Sequence, residues 1–454
     1  MRGLLFLVVF LPSLATRAAP PVPAVTLPEA LKAAREHQPQ LQAARLRLEA
    51  AKHELDAANA GWLPTVGGLV ELVGSTTNNS TATLLSNGAV DLPRIGATKV
   101  TATPDFTPSL STVVALGARQ TVWDFGRLSA QTGAAQALGE LETARVRGTS
   151  LTIDLNVRRA FYAVLAAHAV LDASEQAWSR AKAHRDFAKS AVDAQVRPPI
   201  ELTRAEAELA RFEVGRIRAA SGVRSARVLL AALVGSPETE LDAQGDLVSA
   251  GALTDSETVR AAALRNDPSI AEATAASGVV EQQAALLAAQ QRPTIFASAA
   301  VSGRNGGAAP SSGTAPGGFG LVPAVPNFDL AVVLSWPLFD AAVSRREEAA
   351  RARAQAAQLD LATVKLQLSE QALQLAERAQ VSDLSLTALE RAADAARANS
   401  AQADARFKAG LGTSTELADA ETLHTEAEIS VAIGRFEALS ARAALARAMA
   451  EDAP

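Results

Sequence analysis

The sequence predicts a mostly α-helical, internally duplicated chain whose four β-strands can close a barrel only when several copies pool them. This expectation rests on an apolar content poor in aromatics, on two very long proline-free segments in equivalent places, and on short segments that alternate by twos. Hydrophobic residues make up 48% of the 454, but aromatic ones only 4%. Ala, Leu and Val dominate. Such a mixture favours long helices that approach over small side chains, and it lacks the bulky rings that anchor a globular core.

In chain order, residues 1–18 read as a secretory signal, with Arg2, an apolar stretch over 4–11, Pro12 and the small-residue site Ser13-Leu14-Ala15. The stretch is too short for a bilayer, which takes roughly 20 residues. No other apolar run is longer, so any membrane crossing falls to β-strands.

Two repeats follow, 19–240 and 241–454, each reading as helix, strand, loop, strand, very long helix, turn and helix. Pro39 and Pro268 are separated by the same interval as Pro64 and Pro293. Beyond the strands the interval shortens: Val122-Trp123-Asp124 matches Leu338-Phe339-Asp340, and Glu201-Leu202 with Ala205-Glu206 matches Glu416-Leu417 with Ala420-Glu421. A longer first loop accounts for the change, since loops tolerate length variation.

The long segments, 126–195 and 343–409, contain no proline, and each would run about 100 Å as continuous helix. In the second, two leucine seams interleave at heptad spacing: Leu359, Leu366, Leu373 and Leu361, Leu368, Leu375. At about 100° per residue the seams lie about 200° apart, so this helix needs a neighbour on each side, as in a ring of helices.

The strand segments alternate as Val66, Gly68, Val70, Leu72; Leu110, Thr112, Val114, Leu116; Ile295, Ala297, Ala299, Val301; and Phe328, Leu330, Val332, Leu334. They fall within about 65–122 and 294–338, and each approaches the roughly ten residues that a tilted membrane strand requires. Trp62, Trp123 and Trp336, with Phe339 beside the last, sit at helix–strand junctions, where an interfacial aromatic belt would gather. The connecting loops, 75–109 and 303–325, are rich in Ser, Thr, Asn, Gly and Pro. Four strands cannot close a barrel. Two chains would give eight strands and a filled interior, and three would give twelve and a wider lumen.

The net charge of −5 with interspersed Arg and Glu provides no basic patch for nucleic acid. The absence of cysteine removes disulfides, thiolate metal sites and a thiol nucleophile. The five histidines, His37, His53, His168, His184 and His424, form no ligand pair at helical spacing. Glu421-x-x-His424 is half of a carboxylate di-metal pattern without a second copy, and reads as a chance, solvated pair. His168 belongs to the stripe Val157, Phe161, Val164, Leu171 and is expected to pack. Neither a nucleophile elbow nor a phosphate loop is present, so no enzyme activity and no cofactor is expected.

Over nearly the whole mature chain these residues resemble the TolC-like outer-membrane efflux protein family. The resemblance is carried by Leu27-x-x-Ala30-Leu31 with Pro39 and Leu41, by Leu63-Pro64-Thr65, and by Trp123-Asp124-Phe125-Gly126. Leu229 to Leu233 before Gly235, and Gly410 followed by Glu416-Leu417-x-x-Ala420-Glu421, complete it. It implies a homotrimer with a twelve-stranded β-barrel in the bacterial outer membrane and an α-helical barrel reaching into the periplasm. It also implies partners: a periplasmic adaptor (membrane fusion) protein at the helical tips and an inner-membrane transporter that supplies the energy. The tips would be Val196, Arg197, Pro198 and Pro199, and Gly410, Leu411, Gly412 and Thr413. Glu416 and Asp419 match the acidic residues that line the family's closed periplasmic aperture; spaced three apart, they would face one direction. The first tip lacks the glycine present at Gly410, and Ala342 stands where the first half has Gly126. The expected function is passive conduction from pump and adaptor to the exterior, in efflux or type I secretion. The competing expectation is a soluble periplasmic coiled-coil adaptor or scaffold, which would need neither an aromatic belt nor membrane-length strands.

Overall fold

A computed structural model describes residues 22–77, 106–236, 240–248, 251–307, 309, 313–314, 317–318, 320–323 and 325–450. The expected signal segment and most of the first inter-strand loop lie outside these residues. In chain order the elements are β1 (Ala24–Val25), α1 (Leu27–His37), α2 (Pro39–Asn59), β2 (Thr65–Thr76), β3 (Pro108–Trp123), α3 (Arg127–Asp193) and α4 (Pro199–Val234). They continue with β4 (Asp242–Ala243), α5 (Ser256–Asn266), α6 (Pro268–Ala289), β5 (Thr294–Gly306), β6 (Asn327–Ser335), α7 (Ala341–Lys408) and α8 (Ser414–Met449).

The helix expected before each strand pair is two helices. Proline has no N–H to donate and disfavours helical backbone in the residue before it. Gln38 and Asp267 are accordingly extended, with ψ of 119° and 127°, and α2 and α6 restart at Pro39 and Pro268. Asp267 caps the second restart by accepting from the Ser269 N–H at 2.8 Å.

The repeated Trp/Phe-Asp step marks how the long helices begin. Asp124, buried at the end of β3, accepts from the N–H of Gly126 at 3.2 Å and of Leu128 at 2.5 Å. Asp340 does the same for Ala342 at 2.9 Å and Val343 at 3.2 Å. Each carboxylate satisfies N–H groups that the first helical turn leaves open and complements the helix dipole. From these caps α3 runs 67 residues and α7 runs 68.

The four main strands form one antiparallel sheet in the order β2-β3-β5-β6, with lengths of 12, 16, 13 and 9 residues. Thr76, Pro108 and Gly306 extend the strands into what the sequence reads as loop. A second, unexpected pairing joins β1 to β4 in parallel, Ala24 to Asp242 and Val25 to Ala243. Asp242 is held there by His168, at 2.8 Å, and by Arg227. Although burial alone would raise its pKa, the bonds from Arg227 and His168 leave the Asp242 carboxyl below its ordinary range.

The chain divides into two compact units, each drawing on both halves. One comprises 1–42, 149–263 and 370–454; the other comprises 43–148 and 264–369 and contains the four-stranded sheet. Within the first, Arg35 pairs with Asp154 at 2.5 Å, Arg435 with Glu390 at 3.0 Å, and Arg442 with Asp383. Within the second, Arg145 of α3 meets Glu272 of α6 at 3.0 Å, and Gln358 of α7 donates to Glu281 of α6 at 2.9 Å. Among the described residues no helix is long and apolar enough to cross a membrane.

Candidate functional site

Two turns end the long helices, and each is built from a helix C-terminus that closes on a residue with left-handed backbone. In the first, Gln195 takes φ of +58°, and the Val196 N–H reaches back to the Ala191 carbonyl at 2.9 Å. In the second, Gly410 takes φ of +76°, and the Leu411 N–H reaches Arg406 at 2.8 Å. Gln195 and Gly410 fall at the interval that separates Glu201 from Glu416, so the first turn makes the same reversal without glycine. Val196, Ile200 and Leu411 are exposed apolar side chains on these turns.

The turns are clamped to each other. Arg197 donates from Nη2 to the Phe407 carbonyl at 3.1 Å, and its guanidinium carbon stands 4.2 Å from the centroid of the Phe407 ring. Glu201 approaches the same guanidinium at 3.8 Å. Phe407 is only 1% exposed and packs with Ala403, Leu417 and Ala420. The rings of His184 and Phe187 meet it edge-on from α3, at 4.8 and 5.7 Å between centroids. Burial pushes the His184 pKa down, which keeps that ring neutral at pH 7.

Glu416 and Asp419 are both exposed, in the first turns of α8. Thr413 caps this helix by accepting from the Glu416 N–H at 3.2 Å, and the Glu416 carboxylate meets Arg406 at 3.1 Å. Glu421 and His424 correct the expectation of a solvated pair. Glu421 accepts from Arg180 at 2.6 Å and from Ser400 at 2.8 Å, tying α8 to α3 and α7, and His424 is buried. Among the described residues no group of three or more His, Asp or Glu could hold a metal ion. Val157, Phe161 and Val164 are buried, whereas His168 stands half-buried at the edge of that stripe on Asp242.

In the sheet, all four alternating sets share one face. Gly68, Leu116, Val301 and Phe328 form one cross-strand row, and Val66, Ala118, Ala299 and Leu330 form another. Val66, Val70, Leu72, Leu116, Phe328, Leu330, Val332 and Leu334 stand exposed on it. The opposite face is mixed: Glu71, Arg119, Ser298, Ser302, Arg304 and Asp329 stand among apolar residues, of which Val73, Val113 and Ala115 are buried. Trp123 pairs with Ile295 at the start of β5, and Thr294 pairs with Ser335 at the end of β6. The registers thus gather Trp62, Trp123, Trp336 and Phe339 at one end of the sheet, all exposed.

The two seams of α7 differ. Leu368 is 6% exposed, while Leu359 and Leu366 are 70% and 73% exposed. One seam packs within the chain and the other is open.

A sequence comparison matches residues 30–236 and 259–451 to the model of the outer membrane efflux protein family. The chain belongs to this family. That membership places it in the outer membrane, extending into the periplasm, and makes efflux transport its class of function. A search of curated proteins gives no match. Among solved structures, the outer-membrane channel OprN is 20% identical, covering 93% of this chain and 89% of its own, with a TM-score of 0.76. CusC is 16% identical over 96% and 95% of the two chains, with a TM-score of 0.76. VceC of Vibrio cholerae is 18% identical over 94% and 96%, also with a TM-score of 0.76. At these identities the likeness is one of fold.

Sequence reasoning placed the first turn but missed the left-handed backbone of Gln195 within it, the Arg197 clamp, the β1–β4 pairing, the ion pair of Glu421 and the burial of His424. Only Gln195 carried a signal, in its register with Gly410.

Proposed function

We propose that three copies of this chain form a passive conduit, with a twelve-stranded barrel through the outer membrane continuing into a barrel of helices. The observation that carries this reading is the antiparallel sheet with one exposed apolar face and with β2 and β6 at its edges, neither joined to a further strand among the described residues. In lipid an unpaired backbone group costs several kcal/mol, so β6 of one copy must pair with β2 of the next. The open leucine seam of α7 supplies a second surface for a neighbouring copy. A water-soluble adaptor or scaffold would bury that apolar face instead.

In this reading Trp62, Trp123, Trp336 and Phe339 form the interfacial belt, and the face that bears the charged side chains of the sheet lines the lumen. An adaptor docks on Val196 to Pro199 and on Gly410 to Thr413, linking the conduit to an inner-membrane transporter. Glu416 and Asp419, repeated by the trimer axis, ring the periplasmic aperture with negative charge and attract cations there.

The purified protein in a planar bilayer should give discrete conductance steps, and a water-soluble monomer without conductance would overturn the reading. Replacing Glu416 and Asp419 together by Ala should reshape the currents and weaken block by multivalent cations. Unchanged currents would remove their assigned role.

A further inference from the structure

A cavity of about 350 Å³ lies among α3, α4, α7 and α8, beside the clamp on Phe407. That volume is within the range of small-molecule sites. Three rings from three helices line it: Phe187, Phe212 and Phe407.

Its charges are matched with one exception. Arg180 of α3 is bound to Glu421 of α8 at 2.6 Å, and Lys408 of α7 to Asp404 at 2.7 Å. Arg397 of α7 faces Asp394 at 3.3 Å and Glu428 at 3.8 Å. Glu208 of α4 has no hydrogen-bond or ion-pair partner among the described residues. Burial pushes its carboxyl up to about 7; Arg211 on the same helix draws it down, and Glu421 and Asp419 of α8 add to the rise. The neutral His184 adds no counter-charge.

A second set of atoms is also unmet. Arg180 Nη2, His184 Nε2 and His424 Nδ1 are buried without a hydrogen-bond partner among the described residues, and all three side chains line the cavity. His424 is only 6% exposed, and its Nε2 lies 3.1 Å from Glu428 but out of hydrogen-bonding direction. Folded proteins leave few such groups unless something else meets them.

We propose that this cavity binds a small aromatic organic cation that also carries a hydrogen-bond acceptor. Glu208 meets the positive charge, the three phenylalanines enclose the ring, and Arg180 donates to the acceptor. The site lies within a single copy of the chain and does not depend on the conduit reading.

Binding requires the ionised carboxylate, so the proton competes with the ligand below pH 7, and affinity rises with pH. Calorimetric titration of the full-length protein in detergent tests this with benzoylcholine, whose charge does not titrate. Its neutral carbon isostere, 3,3-dimethylbutyl benzoate, serves as the comparison. Benzoylcholine should bind once per chain, about tenfold more tightly at pH 8 than at pH 6. The isostere should bind about tenfold more weakly at pH 8, without that slope. Glu208→Gln should abolish both the slope and the preference for the cation. Ala401→Phe, at an exposed position on the cavity wall, should remove binding of both probes while the helical circular dichroism is unchanged. No saturable binding of benzoylcholine, an undiminished cation preference in Glu208→Gln, or full binding in Ala401→Phe would each overturn the proposal.

Discussion

The two turns at the ends of α3 and α7 trace one backbone with different residues, and the difference separates what a reversal requires from what merely eases it. Both close on left-handed backbone, +58° at Gln195 and +76° at Gly410. The first takes that conformation on a residue with a Cβ, and Pro198 and Pro199 then fix φ for the entry to α4. The second uses glycine and enters α8 through the Thr413 cap. At the far ends of α4 and α8 the assignment reverses, with glycine at Gly235 and alanine at Ala450, both at positive φ. Helix termination dictates the geometry, and glycine lowers its cost at one of the two equivalent places.

The largest test breaks the link between the turns. Arg197→Ala removes a charged hydrogen bond and a cation over the Phe407 ring, and should cost about 2–3 kcal/mol in chemical denaturation. A loss no larger than that of an exposed arginine would mean the turns are held independently. Next, Thr413→Ala should cost about 1 kcal/mol through loss of the α8 cap. Pro198→Ala, where no side chain caps the helix, should change stability by only about 0.5 kcal/mol. Equal effects would show that the two helix starts are not built differently. The smallest test exchanges the residues themselves. Gly410→Gln should destabilise by about 1 kcal/mol, a cost owed to backbone alone because nothing lies within 4 Å of the added Cβ. Gln195→Gly should be neutral or stabilise by up to about 0.5 kcal/mol. Destabilisation by both would refute the equivalence of the two positions.

What could be read from sequence is what repeats locally. Proline-free length and the Trp/Phe-Asp steps delimit α3 and α7 closely. Alternation by twos identified the apolar side chains that the registers later set on one face. The two leucine seams of α7 have the same spacing, so only tertiary packing distinguishes the buried Leu368 from the open Leu366. Pro39 and Pro268 were visible as markers, yet reading them as positions inside a helix overlooked their effect on the residue before. Arg197 on Phe407, Glu421 between Arg180 and Ser400, and Asp242 between His168 and Arg227 join residues far apart in the chain, and no local pattern announces them.

In the proposed conduit the two edge strands of the sheet, which join no further strand among the described residues, bear on the order of biogenesis. A lone copy entering hydrocarbon would carry the outward N–H and C=O groups of β2 and β6 with it, stripped of water. In the proposed conduit, subunit docking and bilayer entry would therefore act as a single concerted step. Its rate should climb steeply with the local density of newly exported chains, and a substitution that weakens docking should leave stranded protein on the aqueous side of the membrane.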